Sequence, residues 1–269
     1  MKDGQPSETA RRVAAYRLAM TRPATSAGDP EAERRLAADV AGDRRMDGPM
    51  AAHLAARTAF VDAVVLGALE AGVGQVVLVG AGYDGRALRF AADGVRFFEV
   101  DHPATQADKR ARLERLGIDD AAVGYVALDF STTARPGGPA GDVLVEQLVV
   151  AGLERAAATV FVLEGVAPYV EPAVLAALLG SLRAATTSAR SRLVATFARA
   201  TTDPLEAERR RAFARAVAAL DEPILSAFTP EELDAVVAGA GWREAPEGPG
   251  ATQPAERRVG RLVLEPVGA

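Results

Sequence analysis

The stretch Gln75-Val-Val-Leu-Val-Gly-Ala-Gly-Tyr-Asp-Gly-Arg-Ala-Leu-Arg-Phe90 constrains the fold of this chain more than any other. Val76 to Val79 is a short β-branched run, followed at once by Gly80-Ala81-Gly82 and then by residues compatible with a helix from Asp84. Such an order predicts a buried parallel strand that enters a tight turn and a helix. Glycine suits the turn because it tolerates positive φ and lets a ligand approach the backbone closely. The next strand-like run, Val95 to Asp101, ends in an acid placed 21 residues after Gly80. Strand, glycine turn, helix, strand and terminal acid together predict a nucleotide site, with the turn backbone facing the ligand and Asp101 on the ribose hydroxyls. Gly80, Gly82 and Gly85 also satisfy the G-x-G-x-x-G pattern of dinucleotide enzymes. A nicotinamide or flavin therefore stays open beside S-adenosylmethionine, the nucleotide we expect.

Composition narrows the chemistry. The 269 residues are 49% hydrophobic, enough for a full core, and 5% aromatic, too few for a broad base-stacking surface. A net charge of −5 disfavours nucleic acid and anionic membrane as partners. Cysteine is absent and His53 and His102 are the only histidines, so no thiolate nucleophile, disulfide or histidine-rich metal site can be built. No basic-plus-apolar leader and no run of 18 apolar residues is visible, and the expected location is cytoplasmic.

Ahead of residue 75 the pattern is helical. Thr9 to Met20 and Glu31 to Val40 read as helices, the second mostly solvated, and Met50 to Ala71 as a long one with Leu54, Phe60, Val61, Val64 and Val65 on its apolar face. From residue 75 strands and helices alternate. Strands are predicted at 95–101, 124–128, 158–163 and 191–197, then at about Trp242 and at 259–264, where the last two can pair as a hairpin. Helices are predicted at 103–116, 142–151 with Asp142 as cap, 171–185, 205–220 with a solvated charged face, and 229–239, where Thr229-Pro-Glu-Glu is a clear start. Residues 135–141 and 248–254 read as turns. The expected fold is α/β: a doubly wound, mostly parallel, seven-stranded Rossmann-like sheet. Residues 1–72 form an N-terminal helical extension, 73–198 the nucleotide-binding core, 199–228 a helical insertion over the substrate site, and 229–269 the rest of the core.

Ligands of such sheets sit beyond the carboxyl ends of the strands, so the polar residues there are the candidates. Asp101 can accept from two ribose hydroxyls, and Glu99, two residues earlier on the same face, can share that role or turn into the sheet. Asp129 can accept from an adenine amine, with Phe130 over the ring, or form a turn. Glu164 ends the central strand, where a carboxylate suits the amino group or sulfonium of a cationic cofactor. Arg57 can clamp a carboxylate with paired N–H donors, or lie on the surface. His102 is a candidate base or a simple cap.

These residues carry a pattern. Ala56-Arg57-Thr58-x-Phe60-Val61-Asp62, Val77-Leu-Val-Gly80-Ala-Gly82-Tyr-Asp84-x-Arg86-x-x-Arg89, Phe98-Glu-Val-Asp101-His-Pro103 through Lys109, Leu163-Glu164-Gly165-x-x-x-Tyr169, and Phe228-Thr-Pro-Glu-Glu-Leu233 through Trp242 resemble the leucine carboxyl methyltransferase family of class I S-adenosylmethionine-dependent methyltransferases, in its bacterial O-methyltransferase branch. The resemblance implies methyl transfer to an oxygen, most simply a carboxylate of a small molecule or peptide C-terminus; a monomer or homodimer is expected. It implies Arg57 on the methionine or substrate carboxylate, Gly80 and Gly82 along the methionine moiety, Asp101 on the ribose, Asp129 on the adenine and Glu164 at the amino end. Arg57 and Tyr169 are the candidate catalytic residues. Gly85 stands where the family usually has Thr, and Ala167-Pro168 replaces an apolar pair; both are expected near the pocket. Two rivals stand beside this: an NAD(P)-dependent oxidoreductase using the Gly80-Gly82-Gly85 turn, and a non-catalytic binding module of the same fold. The short-chain reductase type fails, because neither Lys2 nor Lys109 has a tyrosine four positions upstream.

Overall fold

The computed structural model describes residues 4–44, 49–130, 140–246 and 252–268. Its described residues form one seven-stranded sheet in the order β3-β2-β1-β4-β5-β7-β6. The strands are β1 (Gln75–Val79), β2 (Arg96–Asp101), β3 (Val123–Ala127), β4 (Thr159–Leu163), β5 (Arg192–Thr196), β6 (Trp242–Glu244) and β7 (Arg261–Pro266). β1 to β5 are parallel; β7 runs antiparallel to both β5 and β6, so the terminal hairpin expected from the sequence is present.

Alternation along the strands explains why both faces need helices. Val77 and Val79 of β1, Phe161 and Leu163 of β4, Leu193 and Ala195 of β5, and Leu262 and Leu264 of β7 point into one core. Their neighbours Val76, Leu78, Val160, Val162, Val194 and Val263 point into the other. Successive side chains leave a strand on opposite faces, and continuous apolar runs are what a doubly covered sheet requires. The first core is closed by α6 (Ala140–Val150), α7 (Pro172–Ala184) and α9 (Pro230–Gly239). Trp242 is fully buried there, donating from its indole to Leu179 O at 2.9 Å and meeting Phe161 edge-on.

The second core is closed by α3 (Pro49–Glu70), whose Val61, Val64 and Val65 are buried against it. The span Met50–Glu70 has a mean hydropathy of 1.4 and is long and apolar enough to cross a membrane by composition, yet its buried valines pack on the sheet. Beside it α1 (Glu8–Arg17), α2 (Pro30–Ala41), the single turn α4 (Arg86–Arg89) and α5 (Pro103–Leu116) enclose a third cluster around Leu36, Tyr83 and Leu113.

Three expectations need correction. α2 is not mostly solvated: Ala32, Glu33, Leu36, Ala37, Val40 and Ala41 are buried, a narrow stripe built largely of alanine. The helix after Asp84 is only four residues long. The helix expected from Asp142 begins at Ala140, so Asp142 is not its cap. A short helix α10 (Pro254–Arg258) also precedes β7, unforeseen in the sequence. Most of the turns expected at 135–141 and 248–254 lies outside the described residues. The charged α8 (Pro204–Ala218) is solvated as expected, with Val217 its only buried residue, and Thr229 and Glu232 form a reciprocal cap at the start of α9.

Candidate active site

Strand order reverses between β1 and β4, and loops leaving the two strands there diverge to open a crevice. A cavity of about 430 Å³ fills it, within the roughly 300–1,000 Å³ of small-molecule sites. Most residues nominated from the sequence line it: Gly80 and Gly82 after β1, Asp101 and His102 after β2, Asp129 and Phe130 after β3, Glu164 and Tyr169 after β4, and Arg57 from α3; Glu99 does not. The roof comes from elsewhere in the chain, from Ser7 to Arg17 at α1 and from Glu222 to Leu225 after α8.

The glycine turn is shaped by close approach. Gly80 has φ +65°, and a Cβ there would lie 2.2 Å from Val166 Cγ2; Gly82 has φ +53°, and its Cβ would reach Ala10 at 3.0 Å. The turn's amides, however, are already used. Gly80 N–H and Ala81 N–H donate to Val100 O at 2.7 and 3.2 Å, and Gly82 N–H donates to Asp101 Oδ2. What the turn offers a ligand is proximity, not donors. A pyrophosphate needs free N–H groups at a helix N-terminus, and here those amides face β2 while the following helix is one turn. Gly85, the third glycine of the dinucleotide pattern, is not on the cavity: a Cβ there would strike Glu33 Cγ at 2.2 Å. The oxidoreductase alternative therefore finds no support in the geometry.

Asp101 accepts from Gly82 N–H and, at 2.6 Å, from His102 N–H. Burial raises its pKa against the pull of these two bonds. Each oxygen keeps a second lone pair, so two hydroxyls of a ligand can still be met. His102 is the N-cap of α5: its Nδ1 accepts from Ala104 N–H at 3.2 Å. The neutral ring then carries its proton on Nε2, which faces Asp129 Oδ2 at 3.6 Å. With one nitrogen committed and the other protonated, His102 has no lone pair for a general base. Glu99 does not join the site. It is buried at 2% exposure and paired with Lys109 Nζ at 2.6 Å.

The largest feature that sequence reasoning missed is a buried ion network behind the cavity wall. Arg86 bridges Asp62 (2.7 Å), Asp84 and Glu164 (2.7 Å). Arg89 joins Asp62 (2.9 Å) to Glu33 (2.7 Å), and Arg22 meets Glu33 at 2.7 Å. Arg17 reaches Asp84 (3.2 Å) and Glu164 (3.5 Å), and Arg57 Nε donates to Glu164 Oε1 at 2.8 Å. Among the described residues this joins five arginines to four carboxylates, all nearly or fully buried. Burial opposes ionisation of Glu164, but Arg86, Arg57 and Arg17 outweigh it and hold its pKa at about 2. Asp84 is likewise held far below the usual carboxylate range by Arg17 and Arg86, against burial.

One cation is thus in excess, and the network opens on the cavity through Arg17 and Arg57. Arg17 Nε is buried without a partner. Arg57 lays NH1 and NH2 over Gly165, where an added Cβ would meet NH1 at 3.1 Å. The Tyr169 hydroxyl has no hydrogen-bond partner among the described residues, and burial raises its pKa. Asp62, Asp84, Arg86 and Arg89 all stand in the motifs quoted from the sequence, but nothing in their spacing gave a role. Arg17 could have been found: it continues the Ala10, Val13, Ala14 face of α1 at helical spacing.

The two departures from the family pattern are also relocated. Gly85 makes room for Glu33. Ala167-Pro168 holds the roof, since Pro168 O accepts from Leu225 N–H (2.7 Å) and Ala167 O from Ser226 Oγ (2.6 Å).

Sheet order, switch-point cavity, glycine turn and strand-end acids define a Rossmann-like α/β protein with a nucleotide-type site. A model of the leucine carboxyl methyltransferase family matches residues 10–183, and the chain belongs to that family. A Mycobacterium marinum protein, provisionally named as an S-adenosyl-L-methionine-dependent methyltransferase, is 36% identical over 131 residues, 48% of this chain and 38% of the relative. One from Parafrankia, named likewise, is 54% identical over 61 residues, 22% of this chain and 20% of the relative. The matches thus span about two fifths or less of these relatives' lengths. Solved structures share the fold. A DUF574 family protein from Streptomyces avermitilis superposes with TM-score 0.59 at 16% identity, covering 97% of this chain and 98% of its own. A Thermobifida fusca protein, provisionally described as a methyltransferase, gives 0.57 at 20%, covering 100% and 97%.

Proposed function

We propose that the protein is an S-adenosylmethionine-dependent O-methyltransferase whose acceptor is a carboxylate. The observation that carries this reading is the buried network with one surplus cation, which meets the cavity at Arg17 and Arg57 beside the Gly80–Gly82 turn. A zwitterionic methionine end fits such a wall: its carboxylate answers the unpartnered Arg17 Nε and its ammonium answers Glu164, which leaves the Arg57 fork to the acceptor. The ribose falls to Asp101 and the adenine to Asp129 and Phe130. The match to the family supports the cofactor, as does a Synechocystis magnesium protoporphyrin IX methyltransferase solved with S-adenosylhomocysteine, at TM-score 0.50 and 12% identity for the fold.

When bound, the cofactor supplies a sulfonium methyl: the carbon–sulfur bond breaks with its electrons left on sulfur, and a carbon–oxygen bond forms to the acceptor. The chain's own residues do the rest. Arg57, aimed by Glu164, and the Tyr169 hydroxyl hold an anionic oxygen. The roof from α1 and from residues 222–225 excludes water, in keeping with 1–72 and 199–228 acting as covers on the 73–198 core and its 229–269 completion. No proton needs to be removed, because a carboxylate of ordinary pKa near 4 is ionised at neutral pH. That agrees with the committed lone pair of His102.

The test is a thermal-shift titration with S-adenosylhomocysteine and with NAD(P)H, followed by tritiated-methyl transfer to a panel of carboxylic acids and phenols. A shift from S-adenosylhomocysteine alone and label on the acids is expected. A shift from the nicotinamide alone would overturn the reading.

A further inference from the structure

Past the strand ends, the cavity is completed by Val13, Val166, Val170, Pro223 and Leu225. None of these side chains can hydrogen-bond. Of the nearby backbone donors, Leu225 N–H and Ser226 N–H are spent on Pro168 O, Tyr169 N–H on Val166 O at 2.9 Å, and Val170 N–H on Ala167 O at 3.4 Å. Among the described residues Glu222 is the one carboxylate on this side, and it is held by the roof. It accepts from Glu8 N–H (2.9 Å), Thr9 N–H (3.2 Å), Ser7 Oγ (3.3 Å) and Thr9 Oγ1. These bonds tie the start of α1 to the segment after α8 and close the wall between them. Among the described residues on this side, the side-chain donors left for an acceptor are the Tyr169 hydroxyl and the fork of Arg57.

We infer that the acceptor is a small monocarboxylic acid with an apolar body, and not a peptide C-terminus. This rests on the methyltransferase reading of the site. One anionic group can be met by Arg57 and Tyr169, and everything behind it must lie on the five apolar residues. A peptide brings an N–H and a C=O with each residue, and a buried amide left unpaired costs binding. A dicarboxylate brings a second charge with no partner on this wall. Size points the same way. The 430 Å³ cavity is in the lower half of the range of roughly 300–1,000 Å³ for drug-sized ligands, and donor and acceptor must share it.

The experiment uses the full chain and reads the two propositions separately. S-adenosylhomocysteine is first shown to raise the melting temperature. Octanoate, hexanoate, suberate and a pentapeptide with a free C-terminal leucine are then titrated calorimetrically into that complex. Octanoate is expected to bind at least tenfold more tightly than suberate or the peptide, and more tightly than hexanoate by about fourfold per methylene. Leu225→Asp, at a residue 40% exposed, is expected to weaken octanoate at least tenfold while the S-adenosylhomocysteine shift persists, which also shows that the variant is folded. Tighter binding of the peptide or suberate, equal affinity for the two fatty acids, or no acid binding at all would overturn the acceptor assignment alone. No shift with S-adenosylhomocysteine would overturn the methyltransferase reading, and the acceptor assignment with it.

Discussion

Replacing Glu164 by glutamine tests whether the buried network is an energetic unit or a coincidence of proximity. The carboxylate gathers Arg57 at 2.8 Å, Arg86 at 2.7 Å and Arg17 at 3.5 Å, with 4% of its side chain exposed. Its pKa falls from the ordinary 4.5 to about 2, because the three guanidiniums outweigh burial. At roughly 1.4 kcal/mol per unit, that gap corresponds to about 3 kcal/mol of stability from the ionised form, and losing one partner of a buried pair costs about 3–5 kcal/mol by precedent. The sign follows from the depressed pKa. The contribution is complete above pH 4.5 and disappears as pH falls toward 2. Urea unfolding of wild type and Glu164→Gln, followed by circular dichroism from pH 7 down to pH 3, should show a difference of about 3 kcal/mol at neutrality that shrinks to about half or less at the acid end. A difference below about 1 kcal/mol at pH 7, or one as large at pH 3 as at pH 7, would refute the claim that this carboxylate is held ionised by the arginines.

Three further outcomes follow from the site. Asp101→Ala should weaken S-adenosylhomocysteine by tenfold or more, about 1.4 kcal/mol, by calorimetry; unchanged affinity would remove this residue from the ribose. Arg57→Ala should lower turnover far more than melting temperature, since only Nε is tied to Glu164, and Arg57→Lys should not restore it because the paired donors are gone; normal kinetics in the alanine variant would reduce Arg57 to a wall residue. His102→Asn, which keeps an N-cap, should leave the rate of methyl transfer between pH 6 and 8 unchanged, whereas loss of a rate-controlling ionisation there would show that the ring acts as a base after all.

Much of the sheet was legible in the chain because its strands are short apolar runs stopped by glycine or acid, a pattern that only a covered parallel sheet makes useful. The strand-end residues were legible for the same reason: Asp101, Asp129 and Glu164 are polar where the run stops. α2 was misread because alanine carries its buried stripe, and alanine alternating with charge looks solvated. The ion network was invisible for a related reason. In a chain rich in arginine, Arg17, Arg86 and Arg89 look like surface residues, and only the fold brings Asp62, Asp84 and Glu33 to meet them. The joint between α1 and the segment after α8 was not legible either, since Glu222 and Thr9 lie 213 positions apart.

The network also bears on how the proposed chemistry can proceed with so few conventional catalytic groups. An acceptor carboxylate must leave water to reach a buried methyl donor, and an anion so moved is strongly destabilised unless donors already await it. A free arginine side chain would have to be ordered at that moment. Arg57 is ordered beforehand, because Glu164 fixes its Nε and is itself fixed by Arg86 from behind. The surplus cation is thus placed and oriented before any ligand arrives. What remains is alignment, and alignment alone can lower a barrier by as much as about 7–11 kcal/mol in favourable cases. On this reasoning Glu164 and Arg86 serve turnover through the geometry of Arg57, so Arg86→Lys should reduce the rate of transfer more than it reduces affinity for S-adenosylhomocysteine; a variant that lost both in equal measure would show the network to be a binding wall and nothing more.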